Sequence, residues 1–176
     1  DAFTTITAAA TDVINVTTMN GATVEGSSAE DRFTFGAGEA GATISSLTAA
    51  VDILNLSARA ASDTGFLSED AGTTALDFGD SHGFIVIEDN VANAAAMSDN
   101  LGDFNNLTDG YGGIAGGESA YFLVSANAAG DADAYVWFAT ANGGGDAIGS
   151  ATLIATLSGM GDLSDGAFTT DNVVLA

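Results

Sequence analysis

Short apolar runs separated by Gly, Asn, Asp and Ser recur along the whole chain, and most carry the period of a β-strand. Residues 11–16 (TDVINV), 31–35 (DRFTF), 51–56 (VDILNL) and 83–87 (GFIVI) are rich in β-branched and aromatic side chains, the types that suit a pleated, half-buried surface. Residues 119–125 (SAYFLVS), 134–139 (AYVWFA), 151–157 (ATLIATL) and 172–176 (NVVLA) continue the series. Several alternate inward and outward, as a sheet with one wet face requires. The turn-rich segment 127–133 (NAAGDAD) lies between strands at 121–124 and 135–138 and predicts an antiparallel hairpin. Trp137 and Tyr135 fall at strand spacing within it and are expected in the core.

One segment has a different period. Ala94, Met97, Leu101 and Phe104 recur at spacings of three and four, the helical repeat, and Asp89 or Asn90 can cap the start. The spacing predicts a short helix near 90–105 packed on a sheet. A weaker signal is an internal repeat. Asp12, Asp31 and Asp52 each stand just before an alternating strand, 19 and 21 residues apart. A period near 20 points to a coiled or rolled β arrangement. The expected fold is therefore mostly β, an antiparallel β-sandwich or β-roll-like domain spanning 1–176 with one short helix. Residues 1–16, with Phe3, Ile6, Val13, Ile14 and Val16 in a Thr-rich setting, read as an N-terminal exchange arm. Such an arm either adds a strand to a neighbour's sheet edge or pairs within its own subunit.

Charge changes this picture most. The 176 residues hold 18 Asp and 6 Glu against Arg32 and Arg59, a net charge of −22, with no Lys, Cys or Pro. A hydrophobic content of 47 % separates the chain from a disordered acidic tail, because low hydrophobicity is what keeps a charged chain unfolded. No basic patch exists to displace counterions from phosphates, so nucleic acid is excluded as a partner. Insertion in a membrane is not expected either, since no apolar run approaches the ~20 residues of a spanning helix. The absence of cysteine removes disulfides and thiolate metal sites. The sequence begins at Asp1 without an initiator Met, and no basic or apolar leader region follows it, as expected either of a chain whose leader was removed or of a piece of a longer product.

The run 31–44 (DRFTFGAGEAGATI) followed by 51–57 (VDILNLS) resembles a stretch of RTX-like proteins exported by bacterial type I secretion. Residues 121–125, 130–137 and 151–159, and the aliphatic ending after 170–172, resemble the C-terminal region of such secretion substrates. The resemblance implies a secreted protein of the bacterial cell surface or extracellular space, stabilised by calcium, and implies no activity. Two departures stand out: there is no intact GGxGxDxUx nonapeptide, and Ala42 occupies the position where the family has an Asp.

Calcium takes six to eight hard oxygens from carboxylates and carbonyls in loops. Asp131 and Asp133 flank one turn residue beside Gly130, and the following 142–146 loop brings Asp146. These three form the candidate calcium site, with Asp52, Asp77 and Asp80 as a weaker set. Turn chemistry alone also accounts for Asp and Gly at such positions. His82 is the only histidine, so any Ser–His–Asp arrangement would centre on it. A lone loop histidine beside Gly is commonly a solvated side chain. Adjacent acids such as Glu30/Asp31 and Glu88/Asp89 are expected by chance in so acidic a chain and do not define a glycosidase pair. The expected function is non-enzymatic: a secreted structural protein that self-assembles into a filament or surface layer with calcium's help. The alternative is an adhesin or carbohydrate-binding module of a larger secreted protein, with a surface polysaccharide as partner.

Overall fold

Gly21 and Gly41 open the same phrase, Gly-Ala-Thr-(Val/Ile), twenty residues apart. Both adopt positive φ, 63° and 72°, a conformation that side-chain-bearing residues disfavour. Each turns the chain into a short strand. The computed structural model describes residues 6–7, 15–17, 19–49, 51–69, 82–90, 94–96, 117–125, 133–143, 148–160, 163 and 168–176. In the first third the strands are β1 (Ile6–Thr7), β2 (Asn15–Val16), β3 (Thr23–Glu25), β4 (Arg32–Thr34), β5 (Ala42–Ser45) and β6 (Ile53–Asn55). They alternate between two sheets, so that β1, β3 and β5 stack parallel in one and β2, β4 and β6 stack parallel in the other. The chain thus winds as a two-sheet coil. The register is that of the sequence repeat: Thr23 lies opposite Thr43, and Phe33 opposite Leu54. Val24, Ile44, Phe33 and Leu54 point between the sheets and are buried, whereas Thr23 and Glu25 face out.

The second half widens one sheet only. Strands β7 (Gly65–Glu69), β8 (His82–Asn90), β9 (Ser119–Ser125), β10 (Ala134–Ala141) and β11 (Ile148–Ser158) extend the first sheet to eight strands in the order β1-β3-β5-β11-β10-β9-β8-β7. Antiparallel pairing is confined to β9–β10–β11; every other described pair is parallel. The expected hairpin is there, with Tyr135 opposite Val124 and Phe138 opposite Tyr121. Within β1–β6 the parallel pairs follow from the coil, in which a strand's neighbour is its equivalent one turn later. A last strand, β12 (Val173–Val174), returns beside β6 and completes the four-stranded sheet β12-β6-β4-β2.

Two apolar layers result. One fills the space between the sheets, from Val16, Met19 and Phe33 to Phe84, Leu123, Val136, Leu157 and Phe168. The other lies on the outer face of the wide sheet and holds Ile85, Ile87, Phe122, Val124, Tyr135, Trp137 and Ala139. Trp137 is 1 % exposed and its indole N–H donates to the Ala94 carbonyl at 2.9 Å. Of the helix expected near 90–105, the described residues contain one 3-10 turn, Ala94–Ala96. The rest of the Met97/Leu101/Phe104 stripe lies outside the described residues.

Candidate functional site

Asp31 and Asp52, placed at matching corners of the coil, are 0 % and 1 % exposed. Each carboxylate folds back onto the corner that leads to it. Asp31 accepts the Ser27 backbone N–H at 2.6 Å and the Ser27 hydroxyl at 3.2 Å. Asp52 accepts the Thr48 N–H at 2.7 Å and, from the turn below, the Asp31 N–H at 2.8 Å. The Asn172 side-chain amide donates to the Asp52 carbonyl at 2.8 Å, so the C-terminal return continues the same stack. The sequence shows the aspartates but not their partners. The missed signal is a Ser or Thr four residues before each Asp, Ser27 before Asp31 and Thr48 before Asp52. Burial pushes the Asp52 carboxyl above its ordinary value of 3.8; the Thr48 and Asp31 amides pull the other way, and nearby Asp31 and Glu30 add to the rise. With an oxygen bonded to each of two backbone amides, Asp52 serves as a structural corner. Asp77 and Asp80 of the weaker calcium set lie outside the described residues.

The opposite corner uses the longer acid and one of the two cations. Glu39 accepts the Gly36 and Met19 amides at 2.7 and 3.0 Å. The Arg59 Nε donates to the Ala37 carbonyl at 2.9 Å, and its guanidinium lies 5.1 Å from the Phe138 ring centre. Tyr121 donates to the Arg59 carbonyl at 2.9 Å, and its phenol is pushed up to about 12 by burial, against the pull of Arg59. These contacts tie the coil to the wide sheet.

Of the expected calcium ligands, Asp133 is described: it immediately precedes β10 and its Oδ1 accepts the Gly159 N–H at 2.9 Å. Asp131 and Asp146 lie outside the described residues. Among the described residues no group of three His, Asp or Glu side chains is gathered that could hold an ion. His82 begins β8, half-buried and in register with Gly65, while Asp80 and Ser81 lie outside the described residues. The burial of Trp137 and Tyr135 removes them as a platform for a sugar ring.

The ends of the sheets complete the geometry. Among the described residues, β1 and β2 are the terminal strands of the two sheets on one side of the coil, and β7 and β12 are the terminal strands at the other ends. The described part of the N-terminal segment therefore pairs within its own chain, Ile6 opposite Val24 and Asn15 opposite Arg32. In comparison with known proteins, the chain matches no family model, no curated protein and no solved structure.

Proposed function

We propose that this chain is a secreted structural protein of the bacterial surface that assembles with copies of itself into a filament or layer when cations screen its charge. The observation that supports this reading most is a contrast in the distribution of charge. The chain carries −22 overall, yet residues 2–24, which contain β1 and β2, the terminal strands at one end of the coil among the described residues, hold one charged side chain, Asp12. Terminal strands are templates for pairing with another chain, and the acids elsewhere keep copies apart until they are screened. The Debye length falls from about 30 Å at 0.01 M salt to about 3 Å at 1 M. Calcium belongs to this reading as a divalent counter-ion, with the loops of Asp131, Asp133 and Asp146 as the first place to look. Sedimentation and electron microscopy across a salt series, with calcium and with chelator, test it. Association that grows with salt or calcium supports it. A monomer under every condition overturns it.

A further inference from the structure

We propose that the cavity between the C-terminal return and strands β7 and β8 binds a small uncharged ring compound of the size of phenol. The place of this cavity follows from the winding. β11 lies parallel beside β5, and β12 lies parallel beside β6, so β11 and β12 repeat β5 and β6 as a further turn of the coil. The corner is built alike. Asn172 stands just before β12 as Asp52 stands just before β6, and it accepts the Thr169 N–H at 3.0 Å as Asp52 accepts that of Thr48. Between the two turns the chain forms β7 to β10, which carry the wide sheet onward past β11. That sheet bends round until its far strands meet the C-terminal return. Phe84 of β8 stacks on Phe168 with ring centres 5.9 Å apart. Leu175 Cδ1 lies 3.1 Å from the position that a Cβ on Gly83 would take.

β12 and β8 belong to different sheets, so among the described residues side chains close the seam between them. They leave a cavity of about 130 Å³. Phe66 and Phe84 line it from the wide sheet, Val173 and Leu175 from the C-terminal return, and Thr64 and Thr170 complete the lining. Both threonines are exposed and mark the mouth. Three observations select the ligand. Apolar cavities of about 150 Å³ take up benzene, so this one has room for a single six-membered ring. The Phe66 and Phe84 rings lie 4° from parallel with centres 5.8 Å apart, an offset stack to which a third ring can add. No charged side chain is among the described lining residues, so an ionised ligand would lose its water without gaining a partner. A hydroxyl on the ring meets the threonine hydroxyls at the mouth. The ligand touches the C-terminal return and the wide sheet at once, so binding holds that return down. The Leu56 N–H, which donates to the Val174 carbonyl at 2.8 Å, reports on it.

The full 176-residue chain is titrated with phenol, benzene and tetramethylammonium while its melting temperature is followed. Amide exchange is read with and without phenol. Phenol and benzene should raise the melting temperature along a saturable curve, as binding to the native state alone requires. Tetramethylammonium should not. Phenol should slow exchange at Leu56 about threefold more than at Val136 of β10, because local opening of the return is what it suppresses. Val173→Phe fills the cavity and should weaken phenol binding about tenfold. Val173→Ala enlarges the cavity and should shift its preference from phenol toward para-cresol, a test that stands even if the filled variant does not fold. The site is overturned if neither ring compound gives a saturable effect, or if tetramethylammonium alone does. It is equally overturned if a folded Val173→Phe chain binds phenol as the parent does, or if Val173→Ala leaves the preference unchanged.

Discussion

Residues 19–56 and residues 117–158 contribute to one continuous eight-stranded sheet, but they are held by different physics. The coil segment uses strands of three or four residues, each with one inward face. Much of its order lies at the corners, where Asp31, Asp52 and Glu39 collect backbone amides. Strands β9, β10 and β11 run for seven to eleven residues. In β9 and β10 consecutive residues from Tyr121 to Val124 and from Ala134 to Trp137 are all buried, because apolar layers cover both faces. A strand buried on both faces reads as a continuous apolar run, and a strand with one wet face reads as alternation. The coil is thus stabilised by backbone satisfaction at its turns, and the wide sheet by area removed from water.

The sharpest way to break that contrast is at Trp137. Its ring is fully buried and its N–H is bonded. Trp137→Ala should cost about 3–5 kcal/mol, a large part of the ~5–15 kcal/mol of an ordinary domain. Chemical denaturation with far-UV circular dichroism measures it. Trp137→Phe, which keeps most of the ring but leaves the Ala94 carbonyl without its donor, should cost less. Equal losses would mean that the hydrogen bond outweighs the packing.

At the corners the expected effect is smaller and of another kind. Asp52→Ala strips the acceptor from the Thr48 and Asp31 amides. Leaving buried donors unpaired costs about 1–3 kcal/mol, and the relief of a buried charge offsets part of it. Hydrogen exchange should show faster exchange at Thr48 and Asp31 while the β9–β10 amides stay protected. Loss of protection across both regions would show that the two halves unfold as one unit and that the contrast has no dynamic counterpart.

How much of this was legible follows the same division. Strands β8 to β11 of the wide sheet announce themselves, because runs such as AYFLV and AYVWF are long enough to read as strands, whereas Gly-Phe-Leu-Ser-Glu of β7 is too short and mixed to stand out. The coil shows only half its strands. β4 and β6 stand out through Phe33, Phe35, Leu54 and Leu56 and the aspartates before them, and the 20-residue period points to their stacking. β3 and β5 do not stand out, because Thr-Val-Glu and Ala-Thr-Ile-Ser are too short for alternation to rise above a polar loop. The Gly-Ala-Thr phrase repeated at 21 and 41 was the available signal. Parallel pairing was equally hard to read, since it is a property of the winding and not of any single strand. Of the acids in turns that suggest a cation site, Asp131, Asp133 and Asp146, only Asp133 lies among the described residues.

Gly41 offers a purely conformational comparison with those corners. Its φ is 72° and a Cβ there would touch nothing within 4 Å, so the only penalty for Ala is the left-handed backbone, about 1–2 kcal/mol. Gly41→Asn should recover part of it, because Asn visits this region more readily. A similar loss for both would point to a contact rather than to φ.

The smallest effect, and the one that separates burial from hydrogen bonding at the corners, is the pH response of Asp52. Its folded carboxyl is raised above 3.8, chiefly by burial. The folded state therefore holds the proton more tightly than the unfolded chain does. The stabilisation from this group is full below the ordinary carboxylate value and is lost as pH rises through the raised one. Repulsion among the other acids also weakens the fold as pH rises, but that trend is shared by any variant at this position. Asp52→Asn does not titrate, so the difference in melting temperature between parent and variant isolates the group. The parent's advantage should shrink as pH is raised from about 3.8 toward neutrality. If it grows instead, the amides of Thr48 and Asp31 stabilise the ionised form more than burial opposes it, and the coil's corners are held by charge as well as by geometry.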